Sequence, residues 1–143
     1  MASGSARPRP ERVRRPKADP LPYEQAYELR AALREFQATS ERATRKHGLT
    51  AERYQLLLFV HVATEQGKQP TVNDAAAALK LAPSSAAQLV RRVENLRLVR
   101  RELADHDARI RYLRLTTEGR RRLAKAFAEL GEERAKLISL ISG

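Results

Sequence analysis

The sequence contains no cysteine and no tryptophan among its 143 residues. Without cysteine, the protein cannot form disulfides, thiolate metal sites or a thiol-based redox switch. No apolar run is long enough to span a bilayer, and no apolar segment follows the basic N-terminus as a secretory signal would require. We therefore expect a cytoplasmic protein without a membrane partner.

The sequence also lacks the usual signatures of an enzyme. No glycine-rich phosphate loop follows a strand pattern, and no pair of carboxylates lies in an apolar setting. The three histidines, His47, His61 and His106, are far apart. Asp105 and Asp107 flank His106, but neighbouring residues on a hairpin tip alternate in direction and would not surround one ion. We predict no catalytic site, no metal site and no cofactor.

The chain has an excess of positive charge, with a net charge of +11 at pH 7. Residues 1–22 carry a net charge of +4 and residues 80–122 carry +7, whereas residues 23–79 and 123–143 are each neutral. A surface charged only for solubility would spread this excess. Its concentration in two segments indicates a partner with a phosphate backbone.

Residues 1–18 are rich in arginine, proline and serine and contain almost no apolar side chains. Such a segment cannot bury enough surface to order itself, so we predict a disordered basic tail. The alternative is an arm that enters a DNA groove through its arginines. These are Arg7, Arg9, Arg12, Arg14 and Arg15.

Residues 19–143 are predicted to form one domain that is mainly α-helical. Apolar residues three and four apart predict a helix from about Leu21 to Lys46, a second from Thr50 to Gln66 and a last from Thr117 to Ile141, which Gly131 could bend. The first and last helices are long for so short a chain. We therefore expect residues 19–47 and 117–143 to be dimerisation helices of a homodimer.

Residues 48–116 have the pattern of a winged helix-turn-helix, which is a DNA-reading unit. Thr71 begins a short helix with a capping signal, and Pro83 occupies the first position of a second helix that ends near Leu96. Two strand patterns, 98–103 and 110–116, then flank a charged tip and predict a β-hairpin, the wing.

The polar face of the helix from Pro83 and the wing carry the predicted contacts to DNA. Hydroxyl and backbone N–H groups at a helix start can bind a phosphate or a base edge, and glutamine and arginine can form bidentate contacts with bases. An arginine at the wing tip can enter a narrow minor groove. The alternative for the helix is an ordinary solvated face. The predicted residues are Ser84, Ser85, Gln88, Arg91, Arg92, Arg109 and Arg111, with Asp107 holding a wing arginine in position.

Four further residues could line a cavity for a small aromatic or anionic effector: Tyr27, Tyr54, Phe59 and His61. The alternative is that they are ordinary core residues. For His61, that alternative predicts a buried imidazole with a backbone partner.

Several short motifs resemble those of the MarR family of bacterial transcription regulators. They are L-T at 49–50, T-V-x-D-x-A at 71–76, L-x-L-x-P-S-S at 79–85 and L-V-x-R at 98–101. The most specific is D-x-R-x-x-x-L-x-L-T-x-x-G at 107–119. The resemblance covers about residue 21 to the C-terminus. It implies a homodimer that binds palindromic operators, in many members as a repressor released by a small aromatic acid.

Carried over by position, the resemblance implies that Ser84, Ser85, Gln88 and Arg91 face the major groove, with Arg109 at the wing tip and Asp107 as its partner. Three residues depart from the family's pattern, the first of which is Ala75 in place of a common Leu. Ala82 stands where the family often has Ser or Thr, and the loss of that side-chain cap lowers the stability of the helix by ~1 kcal/mol. Arg97 replaces a glycine, at a cost of roughly 1 kcal/mol if its backbone is left-handed.

Two functions are therefore predicted from the residues and the resemblance. The first is a sequence-specific transcriptional regulator. The alternative is a nucleoid-type or RNA-binding protein that uses the same basic surface without choosing a sequence. The two differ in whether binding depends on sequence or only on salt.

Overall fold

The computed structural model describes residues 22–142, so the predicted basic tail lies outside the described residues. Within them, helices and strands follow one another in the order α1 (Pro22–Lys46), α2 (Ala51–Glu65), α3 (Val72–Leu79), α4 (Pro83–Asn95), β1 (Val99–Leu103), β2 (Arg111–Leu115), α5 (Thr117–Glu129) and α6 (Gly131–Ser142). The predicted fold class, mainly α with a small β-hairpin wing, is confirmed.

Side-chain caps start three of the helices where the sequence predicts them. Thr50, Thr71 and Thr116 each accept a hydrogen bond from a backbone N–H in the first turn of the helix that follows. At Thr71 the capping box is complete, because the Asp74 carboxylate accepts from the Thr71 N–H in return. Ala82 provides no side-chain cap for α4, as expected.

The core surrounds α2 and joins it to the wing. Its largest fully buried apolar side chains come from α2, α4, the residue before β1 and the middle of β2, so burial of apolar surface holds these segments together. The Leu113 N–H also donates to the Pro70 carbonyl oxygen at 2.7 Å, which fastens β2 to the segment before α3. The buried side chains are Leu56, Leu57, Val60, Val90, Val93, Leu98 and Leu113, together with Thr44.

The wing is a two-stranded antiparallel sheet whose register pairs Val99 with Leu115 and Leu103 with Arg111. Leu113 and Leu115 point into the core, so one face of the hairpin is anchored. The Ala104 N–H donates to the Ile110 carbonyl oxygen at 3.0 Å and closes the base of the tip. The wing therefore has a fixed root and an exposed end.

A left-handed residue joins α4 to the wing. Arg97 has φ of 63°, and its N–H donates to the Glu94 carbonyl oxygen, while the Leu98 N–H donates to the Val93 carbonyl oxygen. These two bonds form a Schellman motif, in which glycine is the preferred left-handed residue. Leu96, the C-cap residue of α4, is 41% exposed.

We expect Arg97→Gly to stabilise the protein by ~0.5–1 kcal/mol. Glycine adopts a left-handed backbone without the free-energy cost that arginine incurs in the folded state. The greater conformational entropy of glycine in the unfolded chain offsets part of this gain. Urea unfolding would measure the change. Arg92→Gly, in the last turn of α4 where the backbone is still helical, is the matched control and should instead destabilise by ~1 kcal/mol. Equal losses in both variants would contradict the prediction.

The last helical segment is two helices, so the expectation of a single bent helix is corrected. α5 ends at Glu129, and α6 begins at Gly131. The Arg134 side chain donates to the Phe127 carbonyl oxygen at 3.1 Å, and its guanidinium lies 3.7 Å from the centre of the Phe127 ring. These contacts satisfy a carbonyl at the end of α5 and hold the break in place.

No helix among residues 22–142 combines the length and apolar character needed to cross a membrane.

Candidate nucleic-acid interface

The exposed face of α4 collects the helix residues predicted to contact DNA. Ser84, Ser85, Gln88, Arg91 and Arg92 are all exposed. The opposite face of α4 is buried, through its alanine, leucine and valine side chains, against the core. Because burial fixes the rotation of the helix, all five polar residues are held outward from one rigid element.

The wing tip presents one arginine held by a carboxylate. Arg109 donates from Nε and Nη2 to the two carboxylate oxygens of Asp107, at 3.1 and 3.0 Å, and its backbone N–H donates to the same group at 2.9 Å. These hydrogen bonds from Arg109 lower the pKa of Asp107. The Arg109 side chain is nevertheless 89% exposed. Asp107 therefore orients the guanidinium without covering it.

Two other charged residues at the tip, Arg111 and Asp105, differ in the contacts that they make. Arg111 donates to the Ala108 carbonyl oxygen at 2.7 Å, which ties it to the tip backbone. Asp105 is exposed, and it forms no ion pair within the described part of the chain. The structure thus gives Arg111 a local structural contact in addition to its predicted role.

The sequence did not predict an ion pair that joins α4 to β1. Glu94 and Arg101 face each other at 3.0 Å, each with about 30% of its side chain exposed. The pair spans the junction between the polar helix and the wing and helps to set the angle between them. No fixed spacing identifies such a pair, because a turn of particular geometry separates the two residues.

Within residues 22–142, the four predicted effector residues lie in different surroundings. Tyr27 is 68% exposed on α1, whereas Tyr54 is buried in the core, where burial raises its pKa. Phe59 lines a groove near the start of α3, and His61 lines another between α2 and α5. His61 is partly exposed rather than buried, and the polar contact that it makes among the described residues is with a side chain, since its Nε2 lies 3.4 Å from Glu65.

The groove beside His61 has the composition of a small-molecule site. It has a volume of about 360 Å³ and combines apolar walls with one carboxylate, from Glu65, and two basic side chains. One of them, Arg120, donates to the Leu115 carbonyl oxygen at the end of β2 at 3.2 Å. A ligand in this groove that contacts Arg120 would therefore contact a residue that is hydrogen-bonded to the wing. The lining residues are Leu58, His61, Val62, Glu65, Arg120, Leu123, Ala124 and Phe127.

Glu118, in the first turn of α5, has a lowered pKa. Glu118 accepts hydrogen bonds from Arg121 and Arg122, which lower its pKa from 4.5 to about 2. A lowered pKa in the folded state stabilises the protein at every pH above the unfolded value, and this contribution is lost as the pH falls through the folded value.

We therefore expect Glu118→Gln to be less stable than the parent protein at pH 6 and above. The difference should shrink as the pH falls below ~4.5 and vanish near a pH of about 2. Urea unfolding of both proteins between pH 6 and pH 2 would measure it. A constant difference across this range would show that the Glu118 charge contributes nothing.

Comparison with known proteins agrees with this geometry. The sequence model of the MarR family matches residues 47–110, which hold the helix-turn-helix and most of the wing. Over these residues the chain is similar to the MarR family. The resemblance seen in the sequence motifs is thus confirmed. No curated protein matches the chain.

Solved structures share the fold of this chain. A MepR–DNA complex from S. aureus matches with a TM-score of 0.69 and 23% identity, over 80% of each chain. YusO from Bacillus subtilis matches with a TM-score of 0.62 and 24% identity, over 85% of this chain and 84% of its own. A MarR family transcription regulator matches with a TM-score of 0.68 and 24% identity, over 85% and 76%.

Proposed function

We propose that this protein is a sequence-specific transcriptional regulator that binds duplex DNA as a homodimer through α4 and the wing. The observation that carries the proposal is the exposed face of α4, where Ser84, Ser85, Gln88, Arg91 and Arg92 project from one anchored helix. Hydroxyls near the helix start suit phosphates, and the longer side chains reach base edges.

The wing supplies the second part of the proposed contact. Arg109 is exposed and oriented by Asp107, as an arginine that enters a minor groove should be. The chain shares its fold with S. aureus MepR, which has been solved in complex with DNA, and this likeness supports a DNA-binding role for the fold. We propose that α4 reads the major groove while the wing contacts the neighbouring minor groove.

The homodimer is supported by the distribution of exposed apolar side chains. Among residues 22–142, seven of the eleven large exposed hydrophobic residues lie on α1 and α6, and α6 has no buried residue of its own. Such exposed surface on two neighbouring helices is typical of a protein interface. The residues are Tyr23, Tyr27, Leu29, Leu33, Ile138, Leu140 and Ile141.

Sedimentation of the parent protein and of Ile138→Glu tests the dimer. We expect a dimer for the parent and a monomer for the variant, because a carboxylate would be buried unpaired in the interface. Ser139→Glu, at the next exposed position of α6, is the matched control and should remain dimeric. A monomeric parent protein would contradict this part of the proposal.

Selection from random duplexes at ~150 mM salt tests the function, because non-specific phosphate binding is weak there. We expect a palindrome whose half-sites are about one helical turn, ~34–36 Å, apart. If no sequence is enriched while binding still falls steeply with salt, the regulator proposal fails. The sequence-tolerant nucleoid-type or RNA-binding function would then replace it.

We further propose that the regulator is a repressor and that a small aromatic or anionic effector releases it from DNA by binding the His61 groove. Arg120 supports the coupling, since it lines the groove and bonds to the end of β2. The test is a titration of the protein–operator complex with salicylate and benzoate. Release that Arg120→Gln abolishes would support the proposal, and equal release from the variant would contradict it.

A further inference from the structure

A second cleft, separate from α4 and from the His61 groove, lies where the end of α1 and the following loop meet α5. Its volume is about 330 Å³. Five of its six lining residues have basic side chains, and none is acidic. The residues are Lys46, His47, Gly48, Arg121, Arg122 and Lys125.

Two carboxylates next to the cleft neutralise only part of its charge. Glu118 is shared between Arg121 and Arg122, and Glu129 is shared between Lys46, at 2.8 Å, and His47, at 2.9 Å. The lysines and arginines of the cleft contribute four permanent positive charges, against one negative charge from each of these carboxylates. An excess of two positive charges is left around a concave space.

The loop at Gly48 brings one of the cations close to the backbone. Gly48 has φ of 73°, and a Cβ there would lie 2.6 Å from Arg122 Nη1. The missing side chain thus leaves room for the guanidinium. Among residues 22–142, Arg122 donates only from Nε, to Glu118, so both of its Nη groups retain donors for a ligand.

We propose that this cleft binds a small ligand that carries a phosphate or pyrophosphate group. Arginine and lysine donors suit phosphate oxygens, and the excess of two charges matches a dianion. The volume lies near the lower end of the ~300–1,000 Å³ typical of small-molecule sites. The cleft lies between the end of α1 and α5, apart from the exposed face of α4, which favours a compact soluble anion over a duplex bound by α4. The inference does not rest on the proposed regulatory function.

Calorimetric titration with inorganic pyrophosphate, at constant ionic strength against chloride, tests the site. We expect saturable binding to the parent protein and a loss of about tenfold or more in Lys125→Glu, because a charge-assisted contact is replaced by repulsion. The control is Arg34→Glu, which reverses an exposed cation of α1 outside the cleft and should change the affinity less than about twofold. Arg122→Gln provides a second cleft variant, and melting curves without ligand check that each variant is folded.

Three results would overturn the proposal. The first is the absence of saturable binding to the parent protein, and the second is an equal loss of affinity in Lys125→Glu and Arg34→Glu. In the third, a random-sequence duplex displaces pyrophosphate and Lys125→Glu weakens duplex binding, which would assign the cleft to the DNA backbone. If the proposal is correct, the Lys125→Glu variant binds duplex DNA at low salt nearly as the control variant does.

Discussion

Gly119→Ala should destabilise the protein by at least about 3 kcal/mol, which corresponds to a fall in Tm of the order of 10 °C. A Cβ at this position would lie 2.1 Å from the Leu98 carbonyl oxygen. That oxygen cannot move aside easily, because it accepts the Thr116 N–H at 3.0 Å and belongs to a fully buried residue. The new Cβ is fixed to the backbone of α5, and the oxygen that it meets is itself a backbone atom. Neither a rotamer change nor the movement of a flexible side chain can therefore relieve the clash.

Gly131→Ala is the matched control for this prediction. A Cβ at Gly131 meets only the end of the Arg134 side chain, at 3.7 Å, and Gly131 lies at the start of α6. We expect no loss, and a gain of up to ~1 kcal/mol from the better helix propensity of alanine. Thermal and urea unfolding would measure both variants. A stable Gly119→Ala protein would show that α5 can move away from the root of the wing.

Gln88→Ala should weaken binding to the selected palindrome by about 5- to 150-fold per half-site, since a bidentate base contact provides ~1–3 kcal/mol of discrimination. A homodimer loses the contact twice, so the dimer should lose more than ~25-fold. Gln88 is exposed in the middle of the polar face, and its neighbours on α4 hold it away from the core. Binding to a random duplex should change little, because phosphate contacts remain.

Gln37→Ala, on the exposed surface of α1, is the control and should bind both duplexes as the parent protein does. Fluorescence anisotropy at a series of salt concentrations would separate the two kinds of contact. Loss of a base contact lowers affinity for the palindrome and leaves the salt slope unchanged, whereas loss of a phosphate contact reduces the slope by about 1. A Gln88→Ala protein with unchanged preference for the palindrome would assign base reading to other residues of α4.

The helix starts and the wing could be predicted because they depend on local chemistry. Thr71 and Asp74 form a capping box by their spacing alone, and Pro83 opens α4 because its missing N–H costs nothing there. The left-handed backbone at Arg97 was expected only from the resemblance. Its physical basis is the Schellman motif, which requires that conformation whichever residue occupies the position.

Contacts between distant segments could not be predicted in the same way. His61 lies in an apolar run and suggested a buried residue, but the packing of α2 on α5 leaves it at the edge of a groove beside Arg120. The basic cleft was missed because Lys46 and Lys125 are remote in sequence and belong to separate helical patterns. Charge patterns along a chain do not show which turns will place their charges together.

By itself, the sequence determined the helical frame, the position of the wing, the polar face of α4 and the concentration of positive charge in the segment that holds both. These properties follow from periodicity, capping and composition, which act over a few residues. Only the tertiary structure decided that Leu123 and Leu130 are buried within the chain, while Ile138 and Ile141 remain exposed. These four residues belong to one apolar stripe in the sequence, but they pack differently. The break at Gly131 turns α6 to pack on α1, whereas α5 packs on α2.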